Sequence, residues 1–258
     1  MKRIEQQFQR GKAFVGYLTA GDGGIERTLA AALALIAAGV TLLEIGVPFS
    51  DPIADGPVIQ NAAARSLAQG TTLQDVLWLS QEIRKRSEIP LILFSYLNPI
   101  LAVSQTSFFH DAKAAGLDGI LIVDCPIEAS PFIHQRCLVY DLAPIYVLTP
   151  TTSFARMQHI DRYGKGCLYY ACRKGTTGMR DGLPEDFVST IQTIQAHVHL
   201  PVITGFGISS YQTAEKVLQY ADGVVVGSLF VKALEDGASP AELTQLARRI
   251  NPLERVVL

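Results

Sequence analysis

Charge is scarce in this chain and neither sign dominates: 18% of the 258 residues are Asp, Glu, Lys or Arg, and the formal net charge is −2. Without a basic excess there is no electrostatic footprint for a phosphate backbone, so nucleic acid is not an expected partner. Long apolar runs are missing too. The longest uncharged stretch, 89–109, is interrupted by Pro90, Asn98, Pro99 and several hydroxyl and amide side chains, which argues against a membrane span. The first residues, Met-Lys-Arg-Ile-Glu-Gln-Gln-Phe, lack the apolar core of a secretory leader. Cys125, Cys137, Cys167 and Cys172 show neither CxxC spacing nor a disulfide-rich context, and read as reduced thiols in a cytoplasmic protein. No GxGxxG, GxSxG, HExxH or Walker pattern occurs, which sets aside dinucleotide-binding, serine-hydrolase, zinc-protease and P-loop readings.

What is present is apolar and regularly patterned, with 48% hydrophobic residues, enough for a large core. Eight short β-rich runs recur: 13–19, 41–46, 91–96, 119–124, 144–148, 167–172, 201–205 and 223–227. Between them lie segments with helical periodicity, among them 25–38, 73–86, 130–140, 154–163, 187–197, 211–220 and 240–250. Strand–helix alternation predicts a parallel sheet with helical crossovers. Eight units in this length match a (β/α)8 TIM barrel. A doubly wound open sheet is the rival and usually carries fewer strands. Ile4 and Phe8, one turn apart, predict a short extra N-terminal helix placed to plug the barrel floor. No linker or low-complexity segment divides the chain, so residues 1–258 are expected to form one domain.

In such a barrel, polar residues at the C-terminal ends of strands mark the active face. The ends here include Thr19-Ala-Gly-Asp22, Glu44, Tyr96-Leu-Asn98, Asp124, Tyr169 and Gly227-Ser228. Period-two alternation puts Leu42 and Glu44 on one face and Leu43 and Ile45 on the other. If the latter pair meets the helices, Glu44 points into the barrel mouth. A carboxylate in an apolar strand is either a structural group paired with Arg or Lys or a proton donor and acceptor. Asp51 and Asp55 follow on a loop punctuated by Pro48, Pro52 and Gly56; each also suits a turn, and Asp55 the cap of a following helix. Gly205-Phe-Gly-Ile-Ser-Ser after strand seven and Gly227-Ser228 after strand eight suit phosphate binding near a short helix over 229–234. Ordinary glycine turns would account for each loop taken separately. Gly175-Thr-Thr-Gly178 is either a flap over the same phosphate or a flexible loop. Tyr96 and Tyr169 stand either as walls for a planar ligand or as core packing. His197 and His199 have no third ligand at a strand end, and no metal site is expected. The residues alone describe a cofactor-free barrel enzyme for a small phosphorylated substrate, with one or two carboxylates as proton shuttles.

Leu43-Glu-Ile-Gly-Val-Pro-Phe-Ser-Asp-Pro-Ile-Ala-Asp-Gly-Pro57 with Ile59-Gln-Asn61, supported by Gly205-Phe-Gly-Ile-Ser209 and Gly227-Ser228, resembles the tryptophan synthase α-subunit family over essentially the whole chain. The resemblance implies cofactor-free, retro-aldol-like cleavage of indole-3-glycerol phosphate to indole and glyceraldehyde 3-phosphate. It further implies a PLP-dependent β subunit as partner, in an αββα assembly. Glu44 then matches the catalytic acid–base and Asp55 the carboxylate that binds the indole N–H. Tyr96 and Tyr169 match residues of the indole pocket. Gly178, Phe206, Gly207, Gly227 and Ser228 match the phosphate-binding positions. Asp51, Asn98, Asp124 and Pro126 match positions that face the partner. The chain departs from the usual pattern at Tyr17, Phe94, Ser95, Cys125 and Thr176. Those departures keep open a second expectation, a chain serving mainly as an allosteric activator of its partner. A sugar-phosphate isomerase barrel would explain the two glycine loops but not the motif from Glu44 to Gln60.

Overall fold

Inward- and outward-facing apolar residues alternate along each strand, and that alternation builds two nested cores. A computed structural model describes residues 1–103, 105–129, 131–172, 183–205 and 207–254. Helix α1 (Lys2–Arg10) is followed by β1 (Ala13–Thr19), α2 (Ile25–Ala37), β2 (Leu42–Gly46), α3 (Pro57–Ala68) and α4 (Leu73–Arg84). Next come β3 (Leu91–Ser95), α5 (Leu97–Leu101), α6 (Gln105–Ala114), β4 (Gly119–Ile122), α7 (Pro131–Val139), β5 (Ala143–Leu148) and α8 (Phe154–Tyr163). The chain continues through β6 (Leu168–Tyr170), α9 (Phe187–Gln195), β7 (Val202–Thr204), α10 (Tyr211–Tyr220), β8 (Gly223–Val226), α11 (Ser228–Glu235) and α12 (Pro240–Ile250). Each strand pairs in parallel with the next, and β8 closes on β1, giving the expected TIM barrel.

Ala13, Val15, Leu42, Ile92, Leu121, Ile145, Cys167, Ile203 and Val225 fill the barrel interior. Their sequence neighbours Phe14, Leu43, Ile45, Leu91, Leu93, Leu168 and Val224 pack against the helices. All seven residues of β1 are buried, as strands covered on both faces must be. Helix starts are set locally. Thr72 and Ser239 form reciprocal capping boxes with Asp75 and Glu242, and Pro57 occupies the first turn of α3, where its missing N–H costs nothing.

Helix α1 closes the floor, as its apolar turn predicts. Ile4 joins the interior cluster, and a Cβ on Gly119 would lie 3.1 Å from its Cδ1. Arg3 donates to the buried Asp118 carboxylate, which also accepts from Arg84 and from the Leu91 N–H. These bonds fix α1 at the end of the barrel opposite the strand C-termini. The four cysteines are free and buried. Six expected strands are shorter than predicted, most of all those that end at Ile122, Tyr170 and Thr204. Past Ile122 the chain turns so that Asp124 accepts a bond from the Leu97 N–H at 2.8 Å, a contact no strand period anticipates. Helices α3, α5 and α6 lie outside the segments expected to be helical; α5 has only five residues, and α3 buries mainly small residues such as Ala62, Ala63 and Ser66. Among the described residues no helix is long and apolar enough to cross a membrane.

Candidate active site

Glu44 is placed by strand register. It pairs with Tyr17 on β1 and Ile92 on β3, inward with Leu42, while Leu43 and Ile45 meet the helices. Its side chain is 1% exposed. Among the described residues Oε1 has no hydrogen-bond partner and no cation forms an ion pair with the carboxylate. Among the described residues nothing supports the structural-pair explanation for its burial; Arg173 and Lys174 lie outside them. Desolvation alone pushes its pKa up to about 8, so the carboxyl carries its proton at neutral pH.

Asp55 arrives at the same mouth from the loop after β2. A turn bond from its N–H to Pro52 O, and a bond from Gln60 Nε2 to its carbonyl, hold that loop. The residue does not cap α3, whose N-cap is Gly56. Instead Asp55 Oδ2 accepts from the Tyr96 hydroxyl at 2.9 Å, and that hydroxyl accepts from the Ala54 N–H at 3.0 Å. Burial lifts the Asp55 pKa and the Tyr96 bond opposes the rise, leaving it at about 6. Two carboxyls in one cavity thus differ in charge near neutrality: Glu44 is protonated and Asp55 ionised. Environments that separate two pKa values in this way assign one group as acid and the other as anion.

Across the cavity, close backbone approach explains the glycines. A Cβ on Gly205 would lie 2.2 Å from the Val225 carbonyl oxygen, a backbone atom with nowhere to go. Gly207 has φ 69°, the left-handed region that favours glycine. Gly227 caps α11, whose first turn begins at Ser228. That turn presents N–H groups and positive dipole charge, the features that bind phosphate at helix starts. The Tyr17 side chain lies against Gly227 and then over Gly46, where a Cβ would meet its hydroxyl oxygen at 2.1 Å.

One cavity, open in part to solvent, joins the two ends. Glu44, Asp55, Tyr169, Gly207, Gly227 and Ser228 all line it. Tyr169 donates to Gly205 O at 3.2 Å, which ties β6 to the glycine turn. Tyr96 is not in the lining; its hydroxyl steadies Asp55 and its ring packs 5.1 Å from Phe49. Gly178 and Phe206 lie outside the described residues. Asp51, Asp124 and Pro126 are exposed on loops at the strand C-termini and Asn98 in the first turn of α5, all outside the cavity. Tyr17, Ile59, Phe94, Ile208 and Val225 complete the walls. Tyr17 and Phe94 stood out in the sequence only as departures from a pattern. Inward parity would have found Val225, the register partner of Val15, whereas Ile59 and Ile208 fall inside quoted motifs with no local sign that they face the cavity. Among the described residues no three His, Cys, Asp or Glu side chains are grouped to hold a metal ion.

The arrangement offers a neutral carboxyl, a carboxylate, an apolar slot between Phe94, Ile59 and Tyr17, and glycine turns at a helix start. That set suits proton transfer to a planar apolar ring that carries a phosphorylated chain. The tryptophan synthase alpha chain family profile matches residues 4–255. The tryptophan synthase alpha chain of Coxiella burnetii (strain CbuK_Q154) is 53% identical over 252 residues, covering 98% of each chain. That of Chlamydia caviae is 46% identical over 257 residues, covering 98% of this chain and 99% of its own. The crystal structure of tryptophan synthase subunit alpha from Legionella pneumophila superposes with a TM-score of 0.88 at 36% identity, covering 97% of each chain. A chain of tryptophan synthase from M. tuberculosis superposes with a TM-score of 0.88 at 27% identity, over 97% of this chain and 98% of that one. The motif at Glu44–Gly56, the closed barrel and the cavity across its mouth thus belong together: this chain is a member of the tryptophan synthase alpha chain family.

Proposed function

We propose that the chain cleaves indole-3-glycerol phosphate to indole and glyceraldehyde 3-phosphate, a carbon–carbon lyase reaction, with Glu44 and Asp55 as its catalytic groups. Glu44 donates its proton to indole C3, which turns the ring into an electron sink. Asp55 accepts the indole N–H and stabilises the positive charge that grows on the ring. The side-chain carbon next to the ring carries a hydroxyl. Its O–H proton passes to the newly ionised Glu44, the C=O of the aldehyde forms, and the C3–C bond breaks with its electrons returning to the ring. The proton balance closes on Glu44, so the step needs no cofactor. Gly207, Gly227 and Ser228 hold the phosphate, together with Gly178 and Phe206; Tyr169 walls the site and Tyr96 holds Asp55. The single observation that carries the reading is the buried Glu44 carboxyl, unpaired among the described residues, in one cavity with Asp55 and the helix start at Ser228.

The indole passes to a PLP-dependent β subunit in an αββα assembly. Asp51, Asn98, Asp124 and Pro126 form the face toward that partner, and exposed Ile53 and Leu101 lie among them in sequence. Buried free thiols suit a cytoplasmic enzyme of one domain. The test is indole release from indole-3-glycerol phosphate by the purified chain, alone and with its cognate β subunit. Release that rises on adding the partner supports the reading. A stimulated β reaction without indole release would replace it with the activator role that the departures at Tyr17, Phe94 and Thr176 leave open.

A further inference from the structure

We propose that Arg65 is a positioning residue for this reaction, setting the distance between Asp55 and the start of α11. The inference rests on the lyase reading. It begins with Asp22, a polar strand-end residue that the chemistry does not use. Asp22 is 6% exposed and lies in the loop between β1 and α2, outside the cavity. Its carboxylate receives both bonds of a bidentate pair: Arg65 Nε to Oδ1 and Arg65 Nη2 to Oδ2, each 2.8 Å. The remaining guanidinium nitrogen, Nη1, reaches Glu235 Oε1 at 2.6 Å. One side chain on α3 therefore bonds the β1–α2 loop and the last residue of α11 together. The planar fork of arginine is what permits three such bonds in fixed directions.

The neighbourhood is built for this contact. Ser66 Oγ donates to Ala20 O at 2.6 Å. A Cβ on Gly21 would fall 2.1 Å from Thr71 Oγ1 and 2.7 Å from Ser66 Oγ. The loop thus lies against the end of α3 as closely as backbone allows. Both helices that Arg65 joins begin at the cavity. Helix α3 starts right after Asp55 and lends Ile59 to the wall; α11 starts at Ser228. Near the cavity the two are held apart by Tyr17 with Ile59 and Val231. Farther along, Arg65 holds them together. Two points of attachment fix their relative tilt, and tilt sets how far the Asp55 carboxylate stands from the phosphate-binding turn. A shift of about 1 Å between groups on one substrate is enough to cost up to ~100-fold in rate.

Arg65→Gln, Arg65→Lys and Glu235→Gln test the inference through kcat and KM for indole release, affinity for glycerol 3-phosphate by calorimetry, and thermal melting. Arg65→Gln is expected to lower kcat and raise KM, each about tenfold, at temperatures where the protein stays folded. Arg65→Lys keeps the charge but not the fork and recovers only part of either. Glu235→Gln removes the ion pair between Arg65 and α11, leaving the Asp22 fork and the Arg27 bond to Leu234 O in place, so KM and glycerol 3-phosphate affinity weaken severalfold while kcat and melting stay near wild type. Variants that melt earlier but keep wild-type kcat, KM and affinity would reduce the network to a structural tie and overturn the proposal. If Arg65→Gln does not fold, Glu235→Gln decides, and unchanged KM and affinity overturn it. If the wild-type chain binds glycerol 3-phosphate but releases no indole, the lyase reading fails. The clamp is then judged by affinity alone: weaker binding by Glu235→Gln supports it and equal binding overturns it.

Discussion

Glu44 and Asp55 share a cavity and a residue class, and the difference between them is one hydrogen bond and a degree of burial. Glu44, fully desolvated and with no donor among the described residues, titrates at about 8; Asp55, with the Tyr96 hydroxyl on Oδ2, titrates at about 6. Between those values the acid holds its proton and the anion has lost its own, so kcat/KM for indole release should rise through pH 6 and fall through pH 8. A profile flat across pH 8 would remove Glu44 from the acid role. Tyr96→Phe deletes the donor that stabilises the Asp55 anion; the rising limb should move to higher pH while the falling limb stays in place. Glu44→Gln should abolish indole release, by about 10²–10⁴-fold. The same variant changes stability with a defined sign. A carboxyl whose folded pKa lies above its unfolded one binds more protons when folded, so its presence lowers stability as pH climbs from about 4.5 toward 8. Glu44→Gln should therefore gain on wild type in denaturant titrations at pH 8 and match it near pH 4. Equal stability at pH 8 would mean that Glu44 is not desolvated. At this scale the sequence already showed an anomalous carboxyl in an apolar strand. The hydroxyl that tunes its neighbour sits 41 residues away from Asp55, beyond any local pattern.

Strands and helices carry these residues, and their roles divide along the barrel axis. At the mouth, Gly205 lets β7 and β8 approach within a distance that excludes a side chain, because the opposing atom is the Val225 carbonyl. Gly205→Ala should push the two glycine turns apart and raise KM for the phosphorylated substrate more than it lowers kcat; unchanged KM would detach that turn from phosphate binding. At the floor, Ile4 on α1 seals the interior cluster. Ile4→Ala should cost about 2–5 kcal/mol in chemical denaturation with kcat near wild type, since the cavity lies at the opposite end. Periodicity made most of these elements legible. The expected strand 13–19 and the helices 154–163, 211–220 and 240–250 coincide with the observed ones, because alternation and capping act over a few residues. Helix α3 was not legible, since its buried face is built from alanine and serine packed under a loop and α11.

Over the whole molecule, the barrel gathers at one end the loops that follow eight separate strands. That end holds the cavity and, around it, exposed Asp51, Ile53, Asn98, Leu101, Asp124 and Pro126. Leu101→Asp, a charge on an apolar rim position of α5, should raise the β-subunit concentration needed for half-maximal stimulation. An unchanged requirement would move the partner interface away from this rim. The sequence by itself determined the order of strands and helices, the inward parity of Glu44 and the glycine turns after strands seven and eight. Those depend on periods of two and 3.6 residues and on turn chemistry, which neighbouring residues decide. Tertiary structure decided that Tyr96 serves Asp55, that Gly205 faces the Val225 carbonyl, and that Arg65 reaches Glu235 across 170 residues of chain. It also decided the separation of the two carboxyl pKa values. Desolvation and close approach are properties of surroundings assembled from distant segments, and no stretch of sequence contains its own surroundings.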